Sequence, residues 1–185
     1  MMKLLNKEFT MELISKLEKI VLGWAKNMPH LPVAGQKWLA TNVWWIVLVG
    51  AILSGIALLV SIGTLFTAIA LISATSSLYY VSGSYTGIAV LNAAVSLVFL
   101  LASGLLLAFA VKPLQYMQKK GWVLLFMTLL VQALSVIVNA VLSFSVVGFI
   151  IGIIFGAIGV AIGAYFISEI HGQFGHPAKA TPKKA

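Results

Sequence analysis

Residues 121–168, GWVLLFMTLLVQALSVIVNAVLSFSVVGFIIGIIFGAIGVAIGAYFIS, run for 48 residues without a lysine, arginine, aspartate or glutamate. A second such stretch, Trp38–Val111, runs for 74 residues. All formal charge is confined to three blocks, Lys3–Lys37, Lys112–Lys120 and Glu169–Lys184. A water-facing surface needs charge for hydration. A bilayer penalises it, because a charged side chain at mid-membrane costs about 2.5–3.5 kcal/mol on insertion scales. The pattern is that of an all-α integral membrane protein.

Composition narrows the chemistry. The chain is 61% hydrophobic and 9% charged over 185 residues, which leaves no room for a separate soluble domain beside the apolar stretches. It has no cysteine, which removes disulfides, thiolate catalysis and cysteine-ligated metals. All 12 basic residues are lysine, a poorer bidentate phosphate reader than arginine. They are dispersed without interleaved aromatics, so the net charge of +8 points to anionic lipid head groups rather than nucleic acid.

The second gap divides at Ser143-Phe144-Ser145, a connection so short that its flanking helices must be antiparallel neighbours. Thr86–Val111 is a further apolar run, stopped by Lys112-Pro113. In the first gap, Val43–Leu78 would extend about 54 Å as a helix, against a hydrocarbon core of about 30 Å. The expected bend is at Ser61–Thr64, with 65–76 either a short outer helix or a continuation. The predicted spans are about 41–63, 86–111, 121–142 and 146–168, within a bundle covering 38–171.

Parity supports this count. Four spans place the N-terminal block, the middle block and the tail on one side, with six, three and three lysines respectively and none opposite. Five spans would divide the lysines evenly. The positive-inside rule therefore predicts four spans in a cell (inner) membrane, with both termini cytoplasmic. Trp24, Trp38, Trp44, Trp45 and Trp122, with Lys112, Lys119 and Lys120, are read as lipid-interface residues of that side.

Ahead of the bundle, Leu5, Phe9, Leu13, Leu17, Ile20 and Trp24 recur at helical spacing, so 1–28 reads as a cytoplasmic amphipathic helix. It fits either the membrane interface or the end of the bundle. Residues 29–37, with Pro29, Pro32 and Gly35, read as a hinge. Residues 172–185 read as a disordered basic tail.

Two patterns lie inside the membrane. Gly148, Gly152, Gly156, Gly159 and Gly163 share an arc of about 80°, a glycine-zipper ladder that permits close backbone approach. It fits packing on a neighbouring span or a homo-oligomer seam. Gln132, Ser135, Asn139 and Ser143 form a polar stripe on the third span, and Asn92, Ser96 and Ser103 one on the second. These groups serve either as interhelical hydrogen-bond glue or as a hydrated path along Asn92, Ser96, Gln132, Ser135 and Asn139. No span carries an ionisable residue to activate a serine or couple ion transport. Glu169-Ile-His171 marks the water boundary, and His30, His171 and His176 lack ligand-like spacing, so no metal or cofactor is expected.

WLA at 38–40, NVWWIVL at 42–48, KKGWVLLF at 119–126, GAYF at 163–166 and EI at 169–170 together resemble small four-span bacterial integral membrane proteins of uncharacterised activity. The resemblance covers roughly 38–172. It implies the span count and no substrate or catalytic residue.

The sequence thus predicts a non-enzymatic membrane protein acting as a scaffold, assembly partner or membrane organiser. Its expected partners are the lipid bilayer, a second copy or another membrane protein. The alternative is a passive channel or small-solute transporter using the polar stripe between the second and third spans.

Overall fold

The computed structural model describes residues 12, 15–24, 28–75, 83–143 and 145–174. A short helix α1 (15–24) precedes four long ones, α2 (Val33–Thr75), α3 (Gly83–Gln115), α4 (Lys119–Leu142) and α5 (Val146–His171). Each of α2–α5 contains a segment long and apolar enough to cross a membrane. Most of the expected N-terminal helix, residues 76–82, Phe144 and all but 172–174 of the expected tail lie outside the described residues.

The helix boundaries differ from the sequence expectation in three places. First, α2 begins at Val33, inside the expected hinge, so the non-helical stretch is only 28–32. Pro32 sits just before the first turn, where its missing N–H is no loss. Second, α2 runs unbroken through Ser61–Thr64, and 65–75 continues the same helix. The Thr64 and Thr67 hydroxyls donate back to the Ser61 and Gly63 carbonyls, so these polar groups are satisfied on the helix. At 43 residues, α2 is about 65 Å long, against about 36 Å for α4.

Third, α3 passes through Lys112-Pro113 to Gln115. Pro113 falls in the last turn, where its missing N–H costs one bond. The stop comes four residues later, at Met117 with φ 52°. There the Gln118 N–H donates to the Pro113 carbonyl at 2.9 Å and the Met117 N–H to the Leu114 carbonyl at 3.0 Å. This pair of bonds is a Schellman ending, built on methionine where glycine is usual.

Successive helices pack antiparallel in fixed register. Ser54 faces Gly104 and Gly50 faces Leu107, so α2 and α3 approach across small residues. Along α3 and α4, Ser96 meets Asn139 at one end and Leu114 meets Gly121 at the other. Along α4 and α5, Ala140 faces Gly152, Val136 faces Gly156 and Leu129 faces Gly163. Gly152, Gly156 and Gly163 of the glycine ladder are thus turned onto α4, while Gly148 meets Ser143 and Ser145 of the connection and the missing Cβ of Gly159 would point into open space. A Cβ on Gly156 would overlap the Val136 side chain, with Cγ2 at 2.6 Å and Cβ at 3.0 Å.

The described residues hold one core cluster, and it lies at the lysine-rich end. Ala40, Val43 and Val47 meet Ala110, Leu114, Trp122, Phe126 and Ile170 there. Phe174 joins them, so 172–174 pack against the bundle rather than belonging to a loose tail. The Gln173 and Phe174 amides donate to the Ile170 and His171 carbonyls. α2 and α5 also touch at this end, which closes the row of helices into a ring.

Candidate functional site

The last turn of α5 gathers the chemistry of the lysine-rich end. Glu169 lies on it with a side chain only 1% exposed. A carboxylate there is at the unfavourable end of its own helix dipole. The N-terminus of α2 offsets this, because the chain before Val33 presents donors that no helix satisfies. One Glu169 oxygen, Oε1, is 2.7 Å from His30 Nδ1. The other, Oε2, accepts from the Leu31 N–H at 2.9 Å and from the Gln36 amide at 3.1 Å. Gln36 also donates to the Leu31 carbonyl at 3.2 Å. One turn earlier on α5, the Tyr165 hydroxyl donates to the Pro29 carbonyl at 2.9 Å. Residues 29–36 are therefore clasped by α5.

The neighbouring imidazole holds α1. His171 Nε2 is 2.8 Å from Glu18 Oε1. Trp122 supports this ring edge-on, with centroids 4.6 Å apart, and stacks on Phe126 behind it. The Trp122 indole N–H donates to the Ile167 carbonyl at 2.8 Å. The two links are reciprocal: the N-terminal segment gives His30 to Glu169 and Glu18 to His171. Positions 169 and 171 lie about 200° apart on a helix, so they cannot serve each other. That spacing was the available signal. The partners Glu18 and His30 had none, because their approach depends on the path of 28–32.

On α1 the bundle-facing side carries Val21 and Glu18. Leu17, Ile20 and Trp24 fall within an arc of about 60° beside it and stay exposed. Lys16 pairs with Glu12 at 2.8 Å. Lys19, Lys37, Lys112, Lys119 and Lys120 are exposed and make no ion pair among the described residues.

The other residues singled out in the sequence separate. Trp38 and Trp45 are exposed and Trp44 is half-buried. Trp122 does not face lipid: it is 1% exposed, drawn into the core by its bond to Ile167. Within the polar stripe, Ser96 donates to Asn139 Oδ1 at 2.6 Å, and the Asn139 amide donates to the Ser135 carbonyl and hydroxyl. Gln132 is exposed and leaves this group. The Asn92 side-chain oxygen is buried without a hydrogen-bond partner among the described residues. His30 and His171 go to different carboxylates, and no group of three metal-ligating side chains forms among the described residues. No protein-family model, curated protein or solved structure matches the chain.

Proposed function

We propose that this is a non-enzymatic, membrane-organising scaffold of four spans, with both termini in the cytoplasm, that presents an in-plane N-terminal helix as its working surface. The observation that carries this reading is the Glu169 clasp. Both oxygens of the membrane-proximal carboxylate are engaged by residues 30–36, and the side chain is sealed from water. A general base needs a free lone pair within reach of a substrate. This carboxylate instead holds a segment in place, and His171 does the same for α1. The exposed stripe of Leu17, Ile20 and Trp24 fits immersion at the lipid interface, where such a helix lies with its apolar side down.

The rival reading, a passive solute path, draws on the unsatisfied Asn92 oxygen, which asks for a water or another donor. Against it stands the mutual pairing of Ser96, Ser135 and Asn139 across α3 and α4, with Gln132 outside. Crosslinking pull-down from native membranes, with and without residues 1–28, separates the two. A reproducible partner lost on truncation supports the scaffold. Solute flux in liposomes with no captured partner overturns it.

A further inference from the structure

The long helices offer a membrane unequal lengths on the two flanks of the molecule. The contacts of Ser96 with Asn139 and of Leu114 with Gly121 fix the register of α3 against α4 at both ends. Measured from the charge at the lysine-rich end, α3 runs from Lys112 to Gly83, about 44 Å, and α4 from Lys120 to Leu142, about 33 Å. On α5, Glu169 to Val146 is about 35 Å. Ser54 faces Gly104, a register that brings the end of α2 at Thr75 level with Gly83. The α2–α3 pair therefore extends about 15 Å past the end of α4 and about 9 Å past the start of α5. We infer that this extension is covered by lipid acyl chains, so that the protein gathers long-chain lipid along its α2–α3 flank and thickens the bilayer there.

Composition and continuity select this occupant. The sequence from 65 to 92 has no charged residue, and Phe66, Ile69 and Leu91 are exposed on the extension. Water is a poor cover for such a surface. The span-like part of α2 runs unbroken to Ala70, so the extension continues the apolar surface below it. A partner helix in lipid is commonly held by hydroxyls. Here the Thr64 and Thr67 hydroxyls are already given to carbonyls of their own helix, which is how such groups are satisfied in acyl chains. Tilt does not remove the excess. Bringing about 44 Å within a core of about 30 Å needs a tilt of about 45°, beyond the usual limit of about 40°. Because α4 is held in register with α3, the same tilt would leave it about 23 Å, too short to cross. A bilayer thickened on one flank fits both lengths. The inference rests on the four-span membrane reading proposed above and deepens it.

The chain has no cysteine, so single cysteines in the full chain can be read by a water-soluble maleimide supplied on both sides of liposomes. Ala70→Cys on α2 and Val146→Cys on α5 stand within about 2 Å of the same height on opposite flanks, and both positions are exposed. In dioleoylphosphatidylcholine at high lipid-to-protein ratio, Ala70→Cys should react at least about tenfold more slowly than Val146→Cys. The burial of one large apolar side chain is enough for that preference. Gly87→Cys on α3, where an added Cβ meets nothing, gives an independent reading should the first variant fold poorly. In an equal mixture of dimyristoleoyl and dierucoyl lipid, the Ala70→Cys rate should follow the pure dierucoyl value rather than the mean of the two. Equal rates for the two flanks would overturn the inference. So would protection that is lost on diluting the protein in lipid, which marks a second copy as the cover. Leu59→Cys, exposed at mid-span, should stay unreactive throughout. Its labelling would overturn the membrane reading itself, and this inference with it.

Discussion

Replacing Glu169 with leucine removes both carboxylate acceptors from the clasp while keeping a side chain of similar length. Hydrogen bonds to a charged group are worth about 1.5–3 kcal/mol net each, but the three at Glu169 do not add. The His30 side chain is 55% exposed, so its ring returns to water. Gln36 keeps the Leu31 carbonyl as an acceptor. The Leu31 N–H has no alternative and carries the penalty of a desolvated donor, about 1–3 kcal/mol. The expected loss is therefore about 2 kcal/mol, and it falls on 28–36 rather than on the helix pairs. At 1.4 kcal/mol per factor of ten, the population with a released segment rises roughly thirtyfold. In a Glu18→Gln background, which weakens the hold of His171 on α1, limited trypsin digestion in detergent reads this at the exposed Lys16 and Lys19, beside a thermal melt of the bundle. Cleavage there should quicken by about tenfold or more with little change in the melt, and Glu169→Gln should lie between. Cleavage within about twofold of the Glu18→Gln background would refute the clasp as the tether, since an opening of that size cannot leave protection unchanged.

Other sites give independent tests. Gly121→Ala places a Cβ 2.7 Å from the Leu114 nitrogen and 2.9 Å from the Pro113 carbonyl carbon, both main-chain atoms. The α3–α4 turn must open, at about 1–3 kcal/mol, and the detergent melting temperature should fall. Gly159→Ala meets nothing, so its melt should hold or rise. Trp122→Phe keeps the stacking on Phe126 but leaves the Ile167 carbonyl without its indole donor. A loss of about 1 kcal/mol is expected, measurable by denaturant unfolding in micelles. Asn139→Leu removes the α3–α4 bond to Ser96, and interhelical bonds of this kind average only about 0.6 kcal/mol. Its melt should therefore move less than that of Gly121→Ala, and the reverse order would contradict the packing argument.

The four helices long and apolar enough to cross a membrane were legible because the exclusion of charge acts on every residue of such a segment and needs no tertiary context. The polar pairing of Ser96 with Asn139 was foreshadowed by two stripes at helical spacing. Helix ends were less legible. Pro113 looks like a stop, yet the chain stops at Met117, whose positive φ has no side-chain signature. Residues 61–64 look like a bend, yet threonine hydroxyls that satisfy themselves on the helix remove the reason for one. Trp122 carried the mark of an interfacial residue. Its burial depends on the register of α4 against α5, which fixes Ile167 beside it. The clasp was illegible because His30 and Glu169 are 139 positions apart, and only the closed ring brings them together.

On the membrane reading proposed above, the placement of the core follows from the two solvents that the bundle would meet. Its buried side chains concentrate at 40–47, 110–129 and 164–174, all at the lysine-rich end. In lipid, burying a leucine against another helix gains little over leaving it in acyl chains, so association there depends on close backbone contact. That is what Ser54 on Gly104 and Val136 on Gly156 provide farther along the bundle. At the lysine-rich end the alternative is water, and apolar burial regains its full driving force. Large side chains such as Trp122, Phe126 and Leu114 are therefore productive there and would be redundant higher up. The same end carries the Glu169 clasp, where sealed carboxylate bonds need a water-excluding surround and donors need a partner that lipid cannot supply. On that reading, a rigid end tied to the N-terminal segment, and helices joined by small residues beyond it, are two consequences of one boundary.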